Sequence, residues 1–119
     1  LIIVEGQGAL SNYAYSGVTL GLMHGCMPDY LILTHDPSRS KDVMGYKMPD
    51  IKELMQLHID LMSPFKSTSF IGINLLTFKM GESIAKNTIN EFESLYKLPT
   101  TDLIRFGDSN LIKSIYNLI

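Results

Sequence analysis

Three short, nearly continuous apolar runs limit what this chain can become: "LIIVE" (1–5), "YLILTH" (30–35) and, less cleanly, "SFIGINLLTF" (69–78). A strand with one face in water alternates apolar and polar residues, whereas a run that stays apolar suits a strand covered on both faces, as in a parallel sheet. The segments between the runs have the helical period. In 50–62, Ile51, Leu54, Met55, His58, Leu61 and Met62 recur on one face, behind a D-x-x-E start at Asp50 and Glu53 and ahead of Pro64. In 82–96, Ile84, Ala85, Ile89, Phe92, Leu95 and Tyr96 form a broad apolar face, and 109–119 carries Leu111, Ile112, Ile115, Leu118 and Ile119 behind a cap at Asp108 or Ser109. "TDLIRF" (101–106) reads as a weaker fourth strand or an extended connection. Strands alternating with helices give an α/β fold, expected here as a three-layer, doubly wound and mostly parallel sheet.

Segment 16–26 also reads as a helix, with Gly17, Gly21 and Gly25 on one face. Each glycine costs a helix about 1 kcal/mol. The expected compensation is close packing on the sheet, where a Cβ would clash. The stretch 36–49, "DPSRSKDVMGYKMP", is expected to be a long surface loop of the kind that often carries function.

At 119 residues the chain is one domain at most, and a net charge of −2 gives no case for nucleic acid or an anionic membrane as partner. Its single cysteine, Cys26, excludes an internal disulfide and a Cys-rich zinc site, so a reduced, cytoplasmic setting is expected. The longest apolar-leaning stretch, 17–35, is broken by His24, Pro28 and Asp29, short of the roughly 20 residues a membrane span needs. The start lacks the pattern of a signal peptide, and the absence of an initiator Met is read as truncation or an excised domain.

Ligands of open α/β sheets bind beyond the carboxyl ends of the strands. Read that way, the exits offer Glu5, Gly6, Gln7 and Gly8; Thr34, His35, Asp36 and Arg39; Asn74, Thr77 and Lys79; and Asp102 with Arg105. An acid ending an apolar strand can act as a general base or hold Mg²⁺ through water, and Glu5 beside a Gly-Gln-Gly turn is read as functional. His35 is a general acid/base or a satisfied structural histidine. Arg39 and Arg105 are the only arginines, and each can clamp a carboxylate or phosphate, or pair with Asp36 or Asp102. Ser16 and Thr19 open a helix whose free amides suit an anion, or Ser16 simply caps it. His24 and His58 are read as packing residues, Cys26 as a small filler, and no metal-ligand or triad spacing is present.

"VEGQGALSNYAYSGVTLGLMHGCMPDYLILTH" (4–35), "GINLLTF" (72–78) and "LPTTDLIRFG" (98–107) resemble the C-terminal domain of the DgcN-like D-glutamate N-acetyltransferase family, in order over essentially the whole chain. The resemblance implies a P-loop NTPase-like domain, similar to dethiobiotin synthetase, that follows a Rossmann-like domain in full-length members. It also implies acetyl transfer from acetyl-CoA to the amino group of D-glutamate. The family motif falls on Glu5, Gly6, Gln7, Gly8, Tyr15, Ser16, Gly17, His35, Arg39, Asp102, Arg105 and Gly107. The chain departs from that pattern where the family has His-Pro near Asn12-Tyr13, Asn near Leu76 and Glu at Asp36. The glycine-rich phosphate loop and its Lys would lie upstream of Leu1, so 1–119 is expected to be a partial domain.

Three functions follow as expectations. The first is an N-acetyltransferase with acetyl-CoA as co-substrate, Glu5 or His35 as base, and Arg39 and Arg105 on the carboxylates of a small acidic amino acid. The second is an ATP-dependent phosphotransferase or ligase in which Glu5 serves Mg²⁺. The third is a non-catalytic fragment. A homo-oligomer is expected, with neither nucleic acid nor membrane as partner.

Overall fold

The computed structural model describes residues 1–6, 9–107 and 110–118. They form α1 (Ser16–Cys26), β1 (Tyr30–His35), α2 (Ile51–Met62), β2 (Ser69–Leu75), α3 (Glu82–Tyr96), β3 (Thr100–Thr101), α4 (Leu103–Phe106) and α5 (Asn110–Tyr116). The three strands make one parallel sheet in the order β1-β2-β3, with Ile73 opposite Thr100 and Asn74 opposite Thr101. The α/β expectation therefore holds. The chain divides into two compact units, Leu1–Tyr30 with Ser40–Ser69 and Leu31–Arg39 with Phe70–Ile119.

The first unit is built on α1 and α2. Leu10, Met23, Leu54 and Met62 form its core, with Leu20, Met27 and Leu61 against it. The start signal at α2 works as read: one Asp50 carboxylate oxygen accepts the amides of Lys52 (2.8 Å) and Glu53 (3.2 Å). The helix stops at Met62, before Pro64. The 36–49 stretch holds no helix or named strand. Its middle turns back on itself around Asp42, whose Oδ1 accepts the amides of Met44 and Tyr46, both at 2.9 Å.

The second unit contains the sheet, with α3 and α5 packed on β3. Ile73, Leu75, Ala85 and Leu111 are fully buried there. The tightest approach falls on a strand glycine: a Cβ on Gly72 would stand 2.0 Å from Leu111 Cδ1 and 3.1 Å from the Pro99 carbonyl oxygen. This corrects the expectation for α1, because a Cβ at Gly17, Gly21 or Gly25 would meet nothing within 4 Å.

Other expectations are also corrected. Residues 1–5 form no strand, and Leu1, Ile2 and Ile3 are 79%, 89% and 80% exposed. An apolar run becomes a strand only by pairing, and no described strand pairs with this one. The fourth run shortens to the two residues of β3, because the Asp102 side chain caps a turn of helix at Leu103 and ends the extended backbone. On α3, Ile84 and Leu95 are exposed, so its buried stripe is narrower than its apolar one. The cap expected at Asp108 or Ser109 lies outside the described residues.

Candidate functional site

The parallel strands of the second unit end together, and polar side chains gather at that edge. β1 finishes at His35, whose carbonyl accepts the Leu76 amide at 2.8 Å just past the end of β2. The next residue, Asp36, is 9% exposed and heavily bonded. Its Oδ1 accepts the amide (2.9 Å) and hydroxyl (2.5 Å) of Ser38, and its Oδ2 accepts the Lys79 ammonium at 3.1 Å. Burial alone would raise this carboxyl; the Ser38 and Lys79 hydrogen bonds outweigh it and hold Asp36 ionised, below its ordinary value. The His35 ring stacks on Phe92, centroids 6.1 Å apart. Burial lowers its pKa, with Asp36 pulling upward and Arg39 adding to the fall, so the neutral imidazole is favoured. That form can accept a proton at neutral pH.

A second network lies beside it. Asp102, 2% exposed, uses Oδ2 to accept the amide (2.9 Å) and hydroxyl (2.7 Å) of Thr77. Its Oδ1 accepts the amides of Ile104 and Arg105 at the start of α4. The Arg105 guanidinium, by contrast, makes no ion pair with Asp102 among the described residues. Its Nη1 donates to the carbonyls of Thr77 (2.7 Å) and Met80 (2.9 Å). Asn74, at another strand exit, is likewise structural, its Oδ1 accepting the Leu103 amide. Arg39 is exposed, and its guanidinium makes no hydrogen bond or ion pair among the described residues. Lys79 lies at a strand exit in the sequence, but its partner Asp36 is set by the turn after β2, which spacing does not reveal.

Glu5, Gly6, Tyr15, Ser16 and Gly17 belong to the first unit. Glu5 is exposed, and a Cβ on Gly6 would come 3.8 Å from Leu22 Cδ2, an ordinary contact. Gln7 and Gly8 lie outside the described residues. Tyr15, not Ser16, is the N-cap of α1, and no side chain caps it. The amides of Tyr15 and Ser16 instead reach the carbonyl of Asn12, a buried residue whose Nδ2 donates to Asp42 Oδ2 at 2.8 Å. Asn12 stood out in the sequence only as a departure from a family pattern.

The remaining histidines are structural, as expected. A His24 ring nitrogen bonds the Leu61 carbonyl at 3.1 Å and the ring meets Phe65 edge-on, while His58 bonds the Leu54 carbonyl one turn back. Cys26 is exposed at the end of α1, so it does not serve as filler. Among the described residues no three His, Cys, Asp or Glu side chains converge on a possible metal position, and no helix is long and apolar enough to cross a membrane.

A family model described as the P-loop domain of DUF1611, a domain of unknown function, matches residues 1–112. The chain belongs to the DUF1611 family. Among curated relatives, a protein of Tritonibacter scottomollicae named D-glutamate N-acetyltransferase is 35% identical over 95% of this chain. One of the same name from Pseudoalteromonas is 28% identical over 95% of this chain. A crystal structure of a DUF1611 family protein from Anabaena variabilis superposes with a TM-score of 0.87 at 30% identity over 95% of the chain. The chain spans about a third of the length of these relatives, 35% of the two enzymes and 34% of the crystallised protein. No Gly-Lys-Ser/Thr of a phosphate loop occurs in these 119 residues of the DUF1611 fold.

Proposed function

We propose that this chain is part of an N-acetyltransferase that moves the acetyl group of acetyl-CoA to the amino group of D-glutamate. The observation that carries the reading is the 35% identity, over 95% of the chain, to a relative named for that activity. The strand-edge chemistry supports it. The ammonium of the amino acid must lose a proton before its nitrogen attacks the thioester carbonyl. The tetrahedral oxyanion then collapses and expels the CoA thiolate. A neutral His35 is suited to take that proton, with Glu5 the other candidate base. Arg39, exposed and with no hydrogen bond or ion pair among the described residues, is suited to a substrate carboxylate.

The test is an assay of the complete protein with D-glutamate and acetyl-CoA, run beside an arm with D-glutamate, ATP and Mg²⁺. N-acetylated product with release of free thiol in the first arm supports the reading. Product only in the ATP arm replaces it with a phosphotransferase or ligase. Undiminished turnover after His35→Gln or Glu5→Gln removes that residue as base.

A further inference from the structure

We propose that Lys79 is the cation that receives a carboxylate of the substrate at the strand edge, and that Arg105 positions Lys79 and does not bind substrate itself. The inference rests on the acetyltransferase reading and adds to it the residue that selects an acidic amino acid.

The Lys79 ammonium has three N–H donors and spends one on Asp36 Oδ2 at 3.1 Å. It also lies 5.2 Å from the centroid of the Phe78 ring, over its face. A flexible four-carbon stem is thus held at its tip by a buried carboxylate and an aromatic face, while its side chain stays 52% exposed. Among the described residues its other donors make no further hydrogen bond and can serve a ligand. Asp36 has no such freedom, because both of its oxygens are engaged.

Arg105 spends its Nη1 on the backbone of the same turn. Its Nη1 donates to the Thr77 and Met80 carbonyls, which bracket Phe78 and Lys79, and its Cζ lies 5.2 Å from the Phe106 ring centroid. The same turn is held a second time by Asp102, through the Thr77 amide and hydroxyl. The 102–105 segment thus fixes both ends of the short stretch that presents Lys79. A guanidinium bonded to two backbone carbonyls sets geometry, and its loss is felt through the residue it sets.

The test uses the complete protein and two readouts, KM in the acetyl-transfer assay and direct calorimetric titration with D-glutamate. Lys79→Gln is expected to raise the KM and Kd for D-glutamate at least tenfold with the KM for acetyl-CoA unchanged, while Lys79→Arg stays within about threefold of wild type. Arg105→Gln is expected to weaken D-glutamate binding as well. The double variant Lys79→Gln/Arg105→Gln should be no weaker than Lys79→Gln alone, whereas two direct ligands would multiply their effects. An unchanged Kd in Lys79→Gln, a rise confined to acetyl-CoA, or multiplying effects in the double variant would overturn the proposal. A wild-type protein that binds D-glutamate through Lys79 but transfers no acetyl group would sink the acetyltransferase reading and leave the carboxylate site standing. One that does not bind D-glutamate at all would overturn the site.

Discussion

Asp102 and Thr77 are 25 residues apart in sequence, yet one carboxylate oxygen of Asp102 takes both the amide and the hydroxyl of Thr77, at 2.9 and 2.7 Å. The other oxygen caps the first amides of α4. One buried side chain therefore fixes the turn after β2 and ends β3. Asp102→Ala would leave the Thr77 groups and two helix-start amides without their partner, and is expected to cost about 2–4 kcal/mol. Urea unfolding of the complete protein, wild type against variant, measures it; a loss below about 1 kcal/mol would show that the network carries little of the fold's stability.

Acid should weaken the fold in two stages. Asp36 and Asp102 both titrate below their ordinary 3.8, because the hydrogen bonds they receive outweigh the opposing effect of burial. Between the folded values and 3.8 the unfolded chain binds more protons. Their contribution is therefore full above 3.8 and falls as pH drops through the folded values. His35, lowered from 6.5 by burial, behaves the same way at higher pH: its contribution is full above 6.5 and declines as pH falls below it. Melting temperatures at closely spaced pH values should show an early decline that His35→Gln removes and a later one that Asp36→Asn reduces.

Gly72 is the position where β2 tolerates no side chain. A methyl group there meets Leu111 at 2.0 Å, inside a site that is fully buried, and the Pro99 carbonyl at 3.1 Å. Gly72→Ala is expected to destabilise by about 1–3 kcal/mol. Leu111→Ala removes the clashing atom, so the two-site variant should lose less than the sum of the two single losses. Additive losses in the two-site variant would refute this explanation.

The α/β class, the bounds of α2 and α3 and the β1 strand were legible because each rests on local pattern: a capping Asp50, a stop at Pro64, and runs of Leu and Ile. What failed depends on partners distant in sequence. Nothing in "LIIVE" states that no described strand would pair with it, and three glycines on a helix look the same whether a sheet or open space faces them. The site divided in the same way. His35 and Arg39 could be placed at a strand exit from the sequence alone. That Arg105 turns to the Thr77 and Met80 carbonyls, and that Lys79 meets Asp36, is decided by the turn at 76–81, whose geometry no spacing rule encodes.

The base assignment has a signature in the pH dependence of kcat/KM. If His35 takes the proton from the substrate ammonium, activity requires its neutral form. The acid limb should then lie below 6.5, because burial has already lowered this histidine. The charge on Arg39 contributes to that lowering, so Arg39→Gln should move the limb upward, toward 6.5. His35→Gln should reduce kcat by about a hundredfold or more and abolish the limb. The control is the Phe92 ring, on which His35 stacks. Phe92→Leu removes the stacking and should shift the limb through altered burial without abolishing it. A limb that survives in His35→Gln at its wild-type position would assign the base elsewhere, with Glu5 the next residue to replace.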